Sequence, residues 1–324
     1  MVSKLNICLS SDDNYVQHMA VTIQSLVNCH PNDELNIYIL DTSISEENKK
    51  KILSLAKDNV HIFFKQINEE LFNSFDFSKN TYFTSAIFNR FKIPEFFSDL
   101  DRVLYLDVDI VVMKNLSDFY NMDMEGKALA MIADWNEDIC KKLMNVDKYY
   151  NSGVMLFDIK KCLDLKVYSL LMSTLKNNTL DLKMPDQDII NLTCQHIIKP
   201  VDFTYNTQIH PNLTENIKWI KNHIDDVKIL HYTSQLKPWK PKKVPFEKYY
   251  FQYLRLTPWK ENIFSIKLRK SIRDIRDFIY STDKIDHNVK YLKFMGVKWF
   301  TRIKINGERR FYFLGKNFFN QKRK

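Results

Sequence analysis

The sequence predicts an α/β fold, with a mostly parallel sheet and helices on both of its faces. Three observations support this prediction. Apolar runs typical of strands alternate with segments of helical periodicity, acidic turns follow two of the predicted strands, and 45% of the 324 residues are hydrophobic. A chain of this length and composition can bury a large core, which excludes a disordered protein.

The predicted strands and helices alternate along the first 113 residues. In chain order they are a strand at 5–9, a helix at 16–27, a strand at 35–40, a helix that follows Ser43-x-x-Glu46 and runs to about Lys57, a strand at 60–64, a helix at 84–97 and a strand at 103–113. Ser43 and Glu46 have the spacing of a capping box, and Pro94 is expected to bend or end the third helix. Ligands of such sheets bind beyond the carboxyl ends of the strands, so we expect a nucleotide site at that edge.

Other features exclude whole classes of protein. Three of the five glycines lie in the last thirty residues, which excludes a glycine-rich phosphate loop. No apolar run is long enough to span a bilayer, and the N-terminus carries no signal-peptide core. The five cysteines are odd in number and include no C-x-x-C pair, so we expect reduced thiols, no zinc site and a cytoplasmic protein.

The positive charge is concentrated near the C-terminus. Residues 261–324 carry 17 Lys and Arg against 6 Asp and Glu, whereas residues 1–260 have a balance of −2. Apolar residues recur there at helical spacing among basic ones, at Leu268, Ile272, Ile275 and Ile279. The pattern predicts a basic amphipathic helix suited to an anionic membrane surface, and a helix packed on its own domain is the alternative. Nucleic-acid binding is not expected, because no known reading module accompanies the charge.

Asp107 and Asp109 form the most informative pair in the chain. They interrupt an apolar run of strand type, and side chains at i and i+2 of a strand point to the same face. Two converging carboxylates repel each other unless a cation or a proton lies between them, and a hard divalent ion is the natural occupant. Taken alone, such a pair is more often a turn in which one aspartate caps the next element.

Five further segments accompany this pair in a fixed order. They are Ser11-Asp12-Asp13-Asn14-Tyr15, Arg90-Phe91-x-Ile93-Pro94-Glu95, Asn151-Ser152-Gly153-Val154, Pro185-Asp186-Gln187-Asp188 and His231-Tyr232-x4-Lys237-Pro238-Trp239. Together with Tyr105–Ile110 they resemble the retaining glycosyltransferases of family 8, over about residues 5–260. The bacterial lipopolysaccharide and lipooligosaccharide galactosyl- and glucosyltransferases are the members that the chain resembles most, and an ordered set of motifs is far more specific than one alone.

The resemblance implies a Rossmann-like fold of the glycosyltransferase A type. It also implies a catalytic domain over residues 1–260 that binds a nucleotide sugar. From its own residue pattern, the basic, aromatic, helical region at 261–324 is expected to attach to membrane or acceptor. The expected reaction is metal-dependent, retaining transfer of galactose or glucose from a UDP-sugar to a saccharide or lipid-linked glycan. Lipopolysaccharide, capsule or glycoprotein synthesis is the expected setting, on the inner face of the cell membrane.

The resemblance also assigns roles to individual residues. Asp107, Asp109 and His231 would bind the metal, and a nitrogen ligand favours Mn²⁺ over Mg²⁺. The expected donor-binding residues are Ser11, Asp12, Asn14, Tyr15, Arg90, Asp107, Val108, Asp109, Asn151, Ser152, Gly153, Asp186, Gln187, His231, Ser234 and Lys237. Ser234 stands where family members commonly have glycine, which weakens its expected backbone contact with phosphate. Arg90 could instead form an ion pair, and Asp12 or Asp13 could cap a helix.

Asp186 and Gln187 are the expected catalytic residues. Asp186 would orient hydroxyl groups of the donor sugar, and Gln187 would lie beneath the anomeric carbon, with Asp188 as support. An amide is a poor nucleophile where retaining glycosidases use a carboxylate, so front-face substitution is favoured. The competing functions are a UDP-sugar hydrolase, a catalytically weak nucleotide-sugar-binding protein, and an adaptor that acts through its basic tail.

Overall fold

The computed structural model describes most of the chain, in two compact units. The described residues are 2–67, 85–178, 182–210, 213–233, 235–284, 289–294, 297–305, 308–313 and 316–322, with side chains from 274 onward and at 85–86 left out. The larger unit comprises residues 1–238 and 244–260, and the smaller unit comprises residues 239–243 and 261–324. Ser234 lies outside the described residues.

The larger unit alternates strands and helices. Its strands are β1 (Lys4–Ser11), β2 (Glu34–Asp41), β3 (Val60–Gln66), β4 (Arg102–Leu106), β5 (Ile110–Val112), β6 (Leu129–Ala133), β7 (Tyr150–Asp158), β8 (Ile198–Val201), β9 (Thr207–Gln208) and β10 (Ile229–His231). Its α-helices are α1 (Val16–Cys29), α2 (Glu46–Leu53), α3 (Ile93–Phe96), α4 (Ser117–Tyr120), α5 (Glu137–Met144), α6 (Ile159–Asp164), α7 (Val167–Asn177), α8 (Pro185–Cys194), α9 (Thr214–Asn222) and α10 (Glu247–Leu254).

Seven strands form the central sheet, in the order β3-β2-β1-β4-β7-β6-β8. Neighbouring strands are parallel except where β7 pairs with β4 and with β6, which are both antiparallel to it. Apolar residues fill both faces of the inner strands; Leu5, Ile7 and Leu9 of β1 have no exposed surface. This near-continuous apolar pattern is expected where helices cover both faces of a sheet. The predicted fold class is confirmed.

A second, three-stranded sheet positions the acidic turn. β10 lies between β5, to which it is antiparallel, and β9, to which it is parallel. The register pairs His231 with Ile110, so that the end of β10 lies beside the residue that follows Asp109. The backbone N–H of Tyr232 donates to the Asp109 carbonyl at 3.1 Å. A residue far along the chain is thereby fixed against the turn.

Two local predictions were wrong. The capping box at Ser43 does not form: α2 begins at Glu46 with Ser45 as its N-cap, because the Asp41 carboxylate accepts the N–H groups of Ser43 and Ile44 instead. The helix predicted over 84–97 is a 3₁₀ helix at Ser85–Lys92 followed by the short α3, with Pro94 in the first turn of α3, where proline is tolerated.

The smaller unit contains the predicted basic helix, α11 (Asn262–Ile279). Phe264, Leu268 and Ile272 are 75%, 46% and 57% exposed along it, while the side chains of Ile275 and Ile279 lie outside the described residues. An antiparallel sheet in simple chain order follows, which the sequence analysis did not predict: β11 (Tyr280–Lys284), β12 (Val289–Phe294), β13 (Val297–Ile305), β14 (Glu308–Phe313) and β15 (Lys316–Lys322). None of the described helices is long and apolar enough to cross a bilayer.

His18 makes the stability of the larger unit depend on pH. Its ring is buried on α1, and Nδ1 lies 2.7 Å from the hydroxyl of Tyr250 on α10. Burial lowers the pKa of His18 to about 3, although the Asp109 carboxylate acts in the opposite direction. The unfolded chain therefore binds a proton that the folded chain does not, and stability is lost as the pH falls from 6.5 towards 3.

We expect His18 to lower the free energy of unfolding by up to about 1.4 kcal/mol for each unit by which the pH falls between pH 6 and pH 4. Urea unfolding at a series of pH values measures this slope. The variant His18→Gln should reduce it, whereas His61→Gln, at an exposed position of β3, should leave it as in the wild type. A wild-type slope in His18→Gln would contradict the assignment.

Candidate active site

The acidic pair lies in a turn rather than in a strand. β4 ends at Leu106, residues 107–109 form the turn, and β5 begins at Ile110. The prediction that Asp107 and Asp109 converge because they lie on one face of a strand was therefore wrong. Their side chains still converge, because the turn brings them together. One ligand atom from each of them and one from His231 all lie within 4.8 Å of one another.

The three side chains form a suitable site for a metal ion. Nε2 of His231 lies 3.0 Å from Oδ1 of Asp109 and 3.8 Å from Oδ2 of Asp107. Oδ1 of Asp109 is buried, and no described residue forms a hydrogen bond with it. A buried carboxylate oxygen without a hydrogen bond is costly unless a cation neutralises it. Two carboxylates and one imidazole fit a divalent ion of the Mn²⁺ type.

Two buried cations compensate the acidic pair. Nζ of Lys237 lies 2.5 Å from Oδ2 of Asp109 and also donates to the Tyr232 carbonyl. Burial works against ionisation of Asp109, but Lys237 and, to a smaller extent, His231 act in the opposite direction and outweigh it, so the pKa of Asp109 lies well below its ordinary range. Burial raises the pKa of Asp107, and the Asp109 charge adds to this effect while Arg90 opposes it. The two aspartates are therefore not equivalent.

Arg90 connects the turn at residues 107–109 to α8. Its guanidinium donates to Oδ1 of Asp107 at 3.0 Å and lies 3.1 Å from Oδ2 of Asp186. The same group donates to the carbonyl and the hydroxyl of Ser152, and its Nε donates to the Ile87 carbonyl. Arg90 is 7% exposed. It lines the cavity, and its ion pairs are with Asp107 and Asp186 on other elements rather than along its own helix face, so its contact with the donor stays a prediction.

Gly153 on β7 lies where a larger residue would not fit. A β-carbon at this position would lie 2.2 Å from Cε1 of His231 and 2.7 Å from Oδ2 of Asp107. The Gly153 carbonyl also accepts the N–H of Asp107 at 2.8 Å. The backbone of β7 therefore packs directly behind two of the candidate metal ligands, which explains a glycine in the interior of a strand.

Asp186, Gln187 and Asp188 occupy the first turn of α8 and have different surroundings. Asp186 accepts a hydrogen bond from the Ser152 hydroxyl at 2.9 Å. Oε1 of Gln187 accepts from Nδ2 of Asn151 at 3.0 Å and from the Ser152 N–H at 3.1 Å, and its Nε2 donates to Asp134. Asp188 accepts the Tyr149 hydroxyl and the N–H groups of Lys183 and Met184, so it holds the start of α8.

The turn after β1 lies at the other end of the site. Oδ1 of Asp12 accepts the Tyr15 N–H at 3.0 Å, and its Oδ2 accepts from Nδ2 of Asn14 at 3.2 Å. Asp13 does not cap α1, whose N-cap residue is Tyr15. Instead, the Asp13 carboxylate accepts hydrogen bonds from the Ser45 N–H and from Nδ2 of Asn48 at the start of α2. Hydrogen bonding to Asn48 and Ser45 lowers the pKa of Asp13.

A cavity of about 290 Å³ extends from the turn after β1 to the acidic turn and the start of α8. Of the predicted donor-binding residues, Ser11, Asp12, Tyr15, Arg90, Asp107, Val108, Asp109, Asn151, Ser152, Asp186, Gln187, His231 and Lys237 line it. Asn14 and Gly153 do not, since Asn14 is exposed beside Asp12 and Gly153 lies behind the metal ligands. Residues that sequence reasoning missed also line it: Ser10, Thr42, Ile87, Tyr105, Met184 and Thr233. Thr42 directly follows β2, so the rule about carboxyl ends of strands could have found it.

Comparisons with known proteins show which proteins the chain is similar to in sequence and in fold. The family model described as glycosyl transferase family 8 matches residues 6–243. The lipopolysaccharide 1,2-glucosyltransferase of Escherichia coli K12 is 28% identical over 276 residues, which are 80% of each chain. The lipopolysaccharide 1,3-galactosyltransferase of Salmonella typhimurium LT2 is 26% identical over 90% of this chain and 91% of its own. The galactosyltransferase LgtC, solved with donor and acceptor sugar analogs, has the same fold, with a TM-score of 0.68 and 22% sequence identity. The superposition covers 78% of this chain and 96% of LgtC.

We expect Gly153→Ala to abolish metal binding at this site, because the added methyl group would displace His231 and Asp107. Titration with Mn²⁺, followed by the electron paramagnetic resonance of the free ion, measures this. Gly126→Ala is the matched control: its φ of +72° strains an alanine, but nothing lies within 4 Å of the new β-carbon. It should cost about 1 kcal/mol of stability and leave metal binding unchanged. Equal Mn²⁺ affinity in both variants would contradict the prediction.

Proposed function

Because the chain belongs to glycosyltransferase family 8, and is therefore a glycosyltransferase, we propose that it transfers galactose or glucose from a UDP-sugar to a saccharide acceptor. We propose further that the transfer retains the anomeric configuration, requires a divalent cation and serves cell-surface glycan synthesis. The convergence of Asp107, Asp109 and His231 beside Lys237 is the observation that carries the proposal. Relatives that transfer glucose and galactose in lipopolysaccharide synthesis support the choice of hexose.

In this proposal the metal is Mn²⁺, held by Asp107, Asp109 and His231. A bound divalent ion would neutralise the charge that builds on the departing diphosphate. Lys237 is placed to add a point charge to the same phosphate groups, because its ammonium group lies at the cavity wall beside Asp109. The imidazole ligand favours Mn²⁺ over Mg²⁺, which prefers oxygen ligands and water.

The remaining donor contacts are proposed from the cavity wall. Asp12 and Tyr15, with Asn14 beside them, would hold the uridine, with Ser11 and Val108 close by. Asn151, Ser152 and Asp186 line the part of the cavity that would receive the hexose. Ser234 stays a predicted phosphate contact. Galactose and glucose differ at one hydroxyl group, which a single hydrogen-bonding side chain can distinguish.

The surroundings of Gln187 favour front-face substitution. Its amide oxygen has two lone pairs, and Asn151 and the Ser152 N–H already donate to both. An amide oxygen engaged in this way is a weaker nucleophile still, so a glycosyl intermediate on Gln187 is disfavoured. We propose that the leaving diphosphate oxygen accepts the proton of the acceptor hydroxyl, while Asp186 orients the donor sugar.

The basic region 261–324 is proposed to contact an anionic membrane surface on the inner face of the cell membrane. Within the smaller unit, α11 presents the exposed Phe264, Leu268 and Ile272 together with Lys267 and Arg269. Apolar and basic side chains on one helix are what an interfacial helix requires. A lipid-linked glycan acceptor would then lie at the same surface as the enzyme.

The reaction itself is tested with UDP-galactose, UDP-glucose and UDP-N-acetylglucosamine, with Mn²⁺, Mg²⁺ or chelator, and with and without oligosaccharide acceptors. We expect one UDP-hexose to be consumed in the presence of Mn²⁺, and to be consumed faster when an acceptor is present.

Asp109→Asn should reduce the rate by at least about 100-fold, because the metal charge is no longer held at the diphosphate. Asp225→Asn, at an exposed position, is the control. No stimulation by any metal would overturn the proposal, and consumption unaffected by every acceptor would indicate a hydrolase.

Front-face substitution predicts that Gln187→Ala keeps measurable turnover, reduced by no more than about 100-fold, because the loss is one of positioning. The product anomer, read by proton nuclear magnetic resonance, should keep the configuration of the donor. Gln195→Ala, beyond the end of α8, should keep the wild-type rate. A glycosyl adduct on Gln187 or Asp188, detected by intact-protein mass spectrometry, would contradict the front-face mechanism.

A further inference from the structure

Four buried side chains form one hydrogen-bonded chain through the site. Nδ2 of Asn151 donates to Oε1 of Gln187 at 3.0 Å, and Nδ2 of Asn206 donates to Oδ1 of Asn151 at 2.9 Å. Oδ1 of Asn206 then lies 2.8 Å from Nδ1 of His231. All four residues are at most 7% exposed, and Asn206 has no exposed surface. This row of hydrogen bonds runs from Gln187, on the proposed sugar side of the site, to His231, on the proposed metal side.

Two backbone groups fix the direction of every hydrogen bond in this chain. The Ser152 N–H donates to Oε1 of Gln187 at 3.1 Å, and the Gly153 N–H donates to Oδ1 of Asn151 at 3.0 Å. A backbone N–H can only donate, so these two side-chain atoms must be oxygens. Asn206 must therefore present its NH₂ group to Asn151 and its oxygen to His231. Because that oxygen can only accept, Nδ1 of a neutral His231 carries the proton.

The protonation of Nδ1 decides what Nε2 can do. A neutral imidazole with its proton on Nδ1 has a lone pair on Nε2. That lone pair lies 3.0 Å from Oδ1 of Asp109, which receives no hydrogen bond from any described residue. Two acceptor atoms this close repel each other unless a cation lies between them. The tautomer is therefore the one that a metal ligand needs.

We infer that Asn206 is a positioning residue, which holds His231 in the tautomer that binds the metal and links this ligand to Gln187 through Asn151. This inference rests on the proposed metal dependence. The partner of a ligating histidine commonly changes metal affinity by about 10- to 100-fold when it is replaced. Asn206 lies outside every motif of the sequence analysis and does not line the cavity, so it acts only through His231 and Asn151.

Metal binding without turnover tests the inference. Mn²⁺ is titrated into the protein with UDP, and the free ion is followed by electron paramagnetic resonance. Asn206→Leu keeps the branching and the number of side-chain heavy atoms but removes the acceptor, so it should weaken Mn²⁺ binding by about tenfold or more. Asn206→Asp keeps an acceptor for Nδ1–H and should bind Mn²⁺ at least as tightly as the wild type. However, a carboxylate has no NH₂ group to donate to Asn151, so the turnover number of Asn206→Asp should fall.

Asn216→Leu is the matched control. Asn216 is also fully buried, and it bonds the Gln208 carbonyl and the His210 N–H away from the cavity. Its replacement should lower stability without changing Mn²⁺ affinity. Equal affinity in the wild type and in a folded Asn206→Leu would overturn the inference alone. A wild-type protein that binds no Mn²⁺ would overturn the metal dependence, and the metal part of the inference with it.

The tautomer is also measurable in the wild type, which covers the case in which Asn206→Leu does not fold. Long-range proton–nitrogen spectra of the ¹⁵N-histidine-labelled protein distinguish the two neutral forms, and His231→Gln assigns the signal. We expect His231 to carry its proton on Nδ1 before metal is added. A proton on Nε2 would overturn the inference whatever the affinities are.

Discussion

The site depends on holding two negative charges side by side at a cavity wall where each is largely removed from water. Asp107 and Asp109 converge because the chain turns sharply between β4 and β5, and β7 covers them from behind. Two adjacent carboxylates with little access to water repel each other and need compensating charge nearby. Arg90, Lys237 and His231 make this arrangement tolerable, each bonded to one of the two aspartates or lying beside them. Arg90 precedes the turn along the chain, whereas His231 and Lys237 follow it in one distant segment, so the compensation exists only once these two parts of the chain have folded against the turn.

β7 is the strand on which the two halves of the site meet. It runs antiparallel between β4 and β6, and its first residues serve several neighbours at once. Asn151 bonds Gln187 and Asn206, Ser152 bonds Arg90 and Asp186, and Gly153 leaves room for the metal ligands. Consecutive residues of a strand point to opposite faces, but a register shift between β6 and β7 interrupts this alternation near Asn151. The irregularity lets neighbouring side chains contribute to one site.

Sequence reasoning was most successful where one local pattern determined the outcome. Apolar runs identified β1, β2, β3 and β4, and the spacing of apolar residues identified α1. The capping box failed because the Asp41 carboxylate, at the end of β2, accepts the Ser43 N–H that the Glu46 side chain would have accepted. The turn at Asp107 was taken for a strand because its flanking residues are apolar on both sides. Of the missed groups, Asn206 gives no signal at all: a lone asparagine 25 residues before His231 becomes significant only when β9 and β10 pair.

The ion pair between Lys237 and Asp109 has a consequence for how the protein would bind the proposed metal. With Arg90 on Asp107 and Lys237 on Asp109, the two acids are balanced by the protein's own side chains. Folding of this region therefore does not have to wait for a metal, in contrast to a structural zinc site, where binding energy and folding energy are the same quantity. An arriving cation competes with an ammonium group already in contact with one ligand, which limits its affinity. Under the proposed function, side chains that already balance their own charges would hold the cation weakly enough to release it together with the leaving nucleoside diphosphate, so that cation and nucleotide would exchange as one unit.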